Sequence, residues 1–353
     1  MDVLIVGVAG KRTGGIAQYI ADQRRHVDDA DLRVYDTHTA SDGGTLSFLR
    51  AVLASLWTFL AFPFRRRPDV VHVHTSHQFS FYRSSLYVLV ASYLWRRPVV
   101  LHVHGSSFDE FALTDSYAVA ALQRIVFDAS DRIVVLSEYW KDVLSLKVEE
   151  EKLFVLPNAV DASEYSPSFD HEKPHLVFVS NHIERKGIVG FVDAIDRLKR
   201  NETPPFRVSI AGDGPLSDHA SSLCETYDDA EYLGYVSEER KQALLEDASV
   251  YVLPTYAEGL PIALLEGMAG GNAVVTTDVG SIPEVVGDRN GRIITPGDVD
   301  GLKQALKAMV EDHETATGMG EANRDLVVDE YTWSTASDRL VDLYAEIGEE
   351  TNA

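Results

Sequence analysis

Two glutamates with seven residues between them, Glu258 and Glu266, carry the clearest chemistry in this chain. They follow Val250 to Pro254, an apolar run that reads as a buried strand stopped at a proline. Gly259 frees the backbone and Pro261 suits a first helical position, so a helix is expected to open between the two acids. One carboxylate then sits in the loop at the helix mouth and the other about two turns in, a span that matches a diphosphate joined to a ribose. The amides of Leu260 and Ile262 fall between them, where the N–H groups and dipole of a helix start favour an anion. A helix with one acid near its positive end and a second, solvated acid fits the same residues.

Other candidates also end apolar runs. His72 and His74, and likewise His102 and His104, form two H-x-H pairs on neighbouring expected strands, and the strand period puts each pair on one face. Zinc and iron hydrolases use such pairs with further His and Asp ligands later in a closed barrel. No such later cluster occurs here, so buried or ligand-contacting histidines are favoured and no metal is expected. Asp298-Val-Asp300 has the form of a metal-binding D-x-D, but it follows Pro296-Gly297 at a helix start, where capping acids are ordinary. Gly14 and Gly15 precede a helix with the spacing of neither a P-loop nor G-x-G-x-x-G, and a plain strand-to-helix turn accounts for them equally well.

The elements that must position these residues alternate along the chain. Strand-like runs cover Val3 to Gly7, Leu32 to Tyr35, Val70 to His74, Val99 to His104, Arg132 to Leu136 and Leu153 to Leu156. Helical patterns between them include Ile16 to Arg24, Leu46 to Phe62, Leu86 to Trp95 and Thr114 to Ala129. A polar stretch from Pro157 to Pro174 reads as a linker. The alternation restarts with His175 to Ser180, Arg207 to Ala211, Val250 to Leu253 and Ala273 to Thr276, and a last helix runs from Thr332 to Ile347. Such βαβ alternation predicts an α/β protein with two doubly wound, parallel-sheet, Rossmann-like domains, residues 1–165 and 166–331, facing a central cleft.

Composition narrows the class further. A chain of 353 residues suggests about two domains, and 45% hydrophobic residues support real cores. The formal charge is −23, from 55 acidic and 32 basic residues, which repels nucleic acid. Acid excess with mostly arginine among the bases fits a halophile, in whose molar salt the Debye length shrinks to about 3 Å, and fits a moderately acidic mesophilic protein too. A single cysteine, Cys224, excludes an internal disulfide and suits a reducing cytosol. The short apolar start at Val3 reads as a first strand rather than a signal peptide, and a cytoplasmic location is expected.

Three further segments join the glutamate pair. Ser180 to Gly187 contains Arg185, Lys186 and Gly187, Gly212-Asp-Gly-Pro215 follows the next strand, and Leu233-Gly-Tyr-Val236 comes after it. In this order they resemble the retaining glycosyltransferases of family 4, which have the GT-B fold. The resemblance implies that Glu258 contacts the donor sugar, Glu266 the ribose, and that Gly259, Leu260 and Ile262 lie against the diphosphate. It implies that Lys186 neutralises the diphosphate, that Gly212 and Gly214 form the turn below the nucleobase, and that the backbone at Val236 reads the base edge. In the first domain it matches Gly15 to the glycine loop near the donor phosphate and His104 to a histidine near the reacting carbon. The family's arginine position is Asn181 here, and Arg185 is the candidate to supply the missing charge. The final helix, residues 332–353, is expected to cross back to the first domain.

Residues 49–67 are the last informative stretch. An apolar run from Ala51 to Phe64 is flanked by Arg50 and by Arg65-Arg66-Arg67, too short to span a bilayer. It suits a helix lying in a membrane interface, with Trp57, Phe59, Leu60 and Phe62 inserted, and it suits a helix packed on the sheet. Leu86 to Trp95, ending in Arg96-Arg97, repeats the pattern.

The expected function is therefore metal-independent, retaining transfer of a sugar from a nucleotide-diphospho-sugar, with UDP the expected nucleotide. The acceptor is expected to be a lipid-linked or membrane-proximal glycan at the inner face of the cell membrane. A nucleotide-sugar epimerase of the same fold, or a non-catalytic nucleotide-sugar-binding subunit of a transferase, would share most of these residues. Free sugar released without acceptor would mark the epimerase, and no turnover by the purified chain would mark the subunit.

Overall fold

The computed structural model describes residues 1–9, 14–37, 45–201 and 203–350, apart from the side chains of 45–52 and 350. The chain divides into two compact units, Met1–Asn158 with the stretch from Trp333 onward, and Ala159–Thr332.

The first unit is built on β1 (Asp2–Gly7), β2 (Asp31–Asp36), β3 (Val70–Thr75), β4 (Val99–Val103), β5 (Arg132–Val135) and β6 (Leu153–Val155). They form one sheet in the order β2-β1-β3-β4-β5-β6, and every pair is parallel. Every residue of β3 and β4 is buried. Strands covered by helices on both faces read as continuous branched runs, which is why these were legible in the sequence. The helix Trp333–Glu350 belongs to this unit, where the hydroxyl of Tyr344 lies 2.5 Å from Nδ1 of His72 on β3.

The second unit holds β7 (His175–Val179), β8 (Arg207–Ala211), β9 (Ala230–Gly234), β10 (Val250–Leu253), β11 (Ala273–Thr277) and β12 (Gly291–Ile294). Their order is β12-β11-β10-β7-β8-β9, again all parallel. Its core gathers Phe178, Phe191, Ile195, Phe206, Ile210 and Leu306, each almost fully excluded from solvent. The winding direction reverses between β7 and β10, the switch point at whose carboxyl ends open α/β sheets bind ligands.

All ten expected strands are present. β9 and β12 escape a sequence reading because both are edge strands, half-exposed and without an apolar run. The helix expected to start at Leu86 starts instead at Phe79 and continues as a π-helix, Val90–Trp95. Ser84 and Ser85 break the apolar pattern, yet both are buried, their hydroxyls donating to the carbonyls of His74 and Phe81. The stretch read as a linker packs on the second unit. Val160 bridges Thr332, and Arg324 donates to the carbonyl of Tyr165.

Candidate active site

Glu258 lies in the loop between β10 and the helix Ile262–Ala269, and Arg185 and Lys186 lie in the single turn Glu184–Lys186 after β7. These are the two loops at the switch point of the second sheet. Gly187 lets them meet. Its φ is 75°, and a Cβ there would come within 1.9 Å of the carbonyl oxygen of Pro254. Gly280 supports Glu258 from the other side, with φ 55° and a Cβ position 2.0 Å from the Glu258 carbonyl oxygen.

The Glu258 side chain is 8% exposed, and one of its oxygens, Oε1, is where the cations converge. It accepts from Lys186 Nζ, from Arg185 Nη1 at 3.1 Å and from Thr255 Oγ1 at 3.1 Å. Arg185 Nη1 also donates to the carbonyl of Ala257 at 2.6 Å, so the guanidinium is anchored to the same loop. Asn181 is exposed, and Arg185 is a second cation at the acid beside Lys186. Gly259, Leu260 and Ile262 follow directly, the latter two buried. Pro261 is the N-cap rather than the first helical residue, one position earlier than expected and within the usual latitude of helix ends.

Glu266 lies on the second turn of that helix and is 6% exposed. Its Oε1 accepts from Lys241 Nζ at 2.8 Å, and the same ammonium lies 2.6 Å from Glu238 Oε2. Lys241 belongs to the helix Glu238–Asp247 and has no place in the motifs. Its spacing from Glu238 signals an ordinary surface pair, and nothing local points to Glu266. The turn after β8 completes this edge of the sheet. Gly212 N donates to the Gly234 carbonyl at 2.8 Å, tying the turn to the end of β9 beside Tyr235 and Val236, and Gly214 N lies 3.0 Å from Ser217 Oγ.

In the first unit Gly15 begins the helix Gly15–His26 and is exposed, with no atom close to where a Cβ would stand. His104 directly follows β4, and its amide donates to the Thr75 carbonyl at 2.9 Å. The H-x-H pairs merge into one column. His72 Nε2 lies 3.2 Å from His102 Nδ1, and His74 Nδ1 lies 2.9 Å from His104 Nε2. His72 and His74 stack at 4.4 Å between ring centroids, and His102 and His104 at 3.9 Å. Burial, with repulsion from His104, lowers the His72 pKa to about 3, and burial lowers His74 and His102 well below the usual range. These imidazoles are neutral near pH 7.

Nitrogens of His72, His74 and His102 lie within 4.8 Å of one another, so they are the described residues best placed to hold a divalent ion. The set contains no carboxylate, and two positive charges would enter a fully buried neutral cluster without compensation. His72 commits both nitrogens, to Tyr344 and to His102, whereas Nε2 of His74 and Nε2 of His102 are buried without a hydrogen-bond partner.

The segment around residues 49–67 has one buried and one exposed face. Phe62 is fully buried against Trp95 and Tyr87, at 4.4 and 4.9 Å between ring centroids, so its expected insertion into a membrane is corrected: it is core. Trp57 and Phe64 are 74% and 90% exposed, with Leu53, Leu56 and Leu60 also open to solvent. The neighbouring helices expose Phe79, Leu86, Tyr93 and Leu94. The side chains of 49–52 lie outside the described residues.

Two family models match consecutive parts of the chain. Residues 1–159 match the Glycosyl transferase 4-like domain, and residues 161–326 match Glycosyl transferases group 1. The chain belongs to the family 4 type of GT-B glycosyltransferases. Among curated relatives, the MMP alpha-(1->4)-mannosyltransferase of Mycolicibacterium hassiacum is 25% identical over 228 residues, 63% of this chain and 55% of that protein. The match thus spans about half of that relative's length. Among solved structures, sucrose-phosphate synthase from Thermosynechococcus elongatus superposes with a TM-score of 0.78 at 15% identity, covering 98% of this chain and 99% of that one. Anabaena HepE in complex with UDP gives 0.72 at 17% identity, covering 98% and 100%. These likenesses establish the GT-B fold for this family 4 chain.

Proposed function

We propose that this chain is a retaining, metal-independent glycosyltransferase acting on a nucleotide-diphospho-sugar, with UDP as the nucleotide, and on a lipid-linked or membrane-proximal glycan acceptor. The observation that carries the reading is the placement of Arg185 and Lys186 on Glu258 at the switch point of the second sheet. A diphosphate entering there takes over both cations and releases Glu258 to accept from the sugar hydroxyls. Lys186 and Arg185 then hold the charge that develops as the nucleoside diphosphate departs. The acceptor hydroxyl attacks the same face of the sugar. Glu266 binds the ribose, and His104, neutral and therefore able to donate one hydrogen bond, supports the reacting centre. The UDP complex of HepE, a protein of this fold, supports the choice of nucleotide.

Incubating the purified chain with a panel of nucleotide-sugars, and following donor hydrolysis and transfer, tests the reading. Lys186→Ala should lower the rate on the best donor by about two to three decades, or roughly 2.7–4 kcal/mol in the barrier, as when one charge-stabilising donor is removed. Arg185→Ala should cost a comparable amount, and a silent Arg185→Ala would assign the second charge elsewhere. Turnover should also survive exhaustive treatment with EDTA, because the two side chains neutralise the leaving group. Loss of activity restored by zinc or magnesium would reverse that expectation.

Membrane contact rests on the exposed face of the first unit. Trp57 and Phe64 each add about 1.5–3 kcal/mol if fully inserted, and Arg65, Arg66 and Arg67 add about 1 kcal/mol each near an anionic surface at moderate salt. Replacing Trp57 and Phe64 by serine should release the protein from anionic liposomes while hydrolysis of soluble donor is unchanged. Retention of that variant on liposomes, or no binding by the unaltered chain, would remove the membrane from the proposal.

A further inference from the structure

We propose that Lys241 is the positioning residue for Glu266, holding it as a fixed, ionised acceptor for the ribose diol; this rests on the ribose role proposed above for Glu266. A vicinal diol donates two hydrogen bonds. A carboxylate can accept both, whereas a protonated acid has one of its oxygens committed to donation. Glu266 is almost fully buried, so the direction of its carboxylate is set by what it bonds to. Lys241 donates to Glu266 Oε1 from 2.8 Å, with its own side chain only 13% exposed. Glu258 is held by a different pair of cations, Lys186 and Arg185. Glu238, on the same helix as Lys241, holds the ammonium from its other side at 2.6 Å. Each glutamate of the pair thus has its own lysine, Lys186 for Glu258 and Lys241 for Glu266.

The test compares UDP with 2′-deoxy-UDP by calorimetry on the full chain, Lys241→Met and Lys241→Arg. The unaltered chain should prefer UDP. Lys241→Met should weaken UDP by roughly thirtyfold, the lower end for breaking a buried charge pair, and should lose most of the preference for the 2′-hydroxyl. In turnover the donor KM should rise far more than kcat falls. Lys241→Arg keeps the charge and should restore the preference. A Lys241→Met protein that keeps the preference would overturn the role of Lys241 alone. No preference for UDP in the unaltered chain would overturn the ribose role of Glu266, and this inference with it. If Lys241→Met does not fold, Lys241→Gln provides the same comparison.

Discussion

Glu258→Gln should abolish most transfer and yet tighten the binding of the nucleoside diphosphate. In the unaltered chain one buried carboxylate oxygen holds Lys186 and Arg185, so an incoming diphosphate must displace it. A glutamine keeps the shape without the charge, and the cations are left waiting for an anion. Breaking such a pair costs about 3–5 kcal/mol in a dry interior, and less here because the Arg185 side chain is 38% exposed. The ligand-free variant should therefore melt lower and recover on adding UDP, whose affinity should rise by about tenfold, or ~1.4 kcal/mol. Transfer should fall by roughly two to three decades, because the hydrogen-bond acceptor for the sugar loses its charge. Calorimetry, thermal melting and an assay of transfer read the three effects separately. UDP affinity that is unchanged or weaker would mean that Glu258 does not compete with the diphosphate for these cations.

Acid should unfold the first unit near pH 5 through its histidine column. An exposed histidine in the unfolded chain titrates near 6.5, and buried His72 titrates near 3. The unfolded state therefore binds more protons between those values, so the stability these groups lend is complete above about pH 6.5 and is lost as pH falls. At pH 5 one such histidine removes about 2 kcal/mol. His74 and His102 are also fully buried and lowered well below the usual range, so they add loss of the same sign to a unit whose total stability is of the order of 5–15 kcal/mol. Burial lowers His104 to about 3 as well, so it acts in the same direction. All four tryptophans, Trp57, Trp95, Trp140 and Trp333, belong to this unit, so their fluorescence reports on it alone. The expected result is a fluorescence transition between pH 6 and 4.5 while far-UV ellipticity from the second unit persists. Unchanged emission down to pH 4 would show that the column tolerates protonation.

Ten strands and the two-unit organisation were readable because buried parallel strands are unbroken branched runs, as at Val70 to Thr75 and Val99 to Val103, with helical patterns between them. Gly187 beside Lys186 was readable because the backbone needs a glycine there: a Cβ would stand 1.9 Å from the Pro254 carbonyl oxygen. Pairing across the sheet was not readable. Arg185 meets Glu258 over 73 positions and Lys241 meets Glu266 over 25, and neither spacing carries a periodic signal. The edge strands β9 and β12 lacked one too, since half-exposed strands need no apolar run. Phe62 and Trp57 look alike in a composition of apolar residues, five positions apart on one segment. Only the packing of Trp95 and Tyr87 around the first buries it and leaves the second open to solvent, because burial depends on what other elements bring to a face.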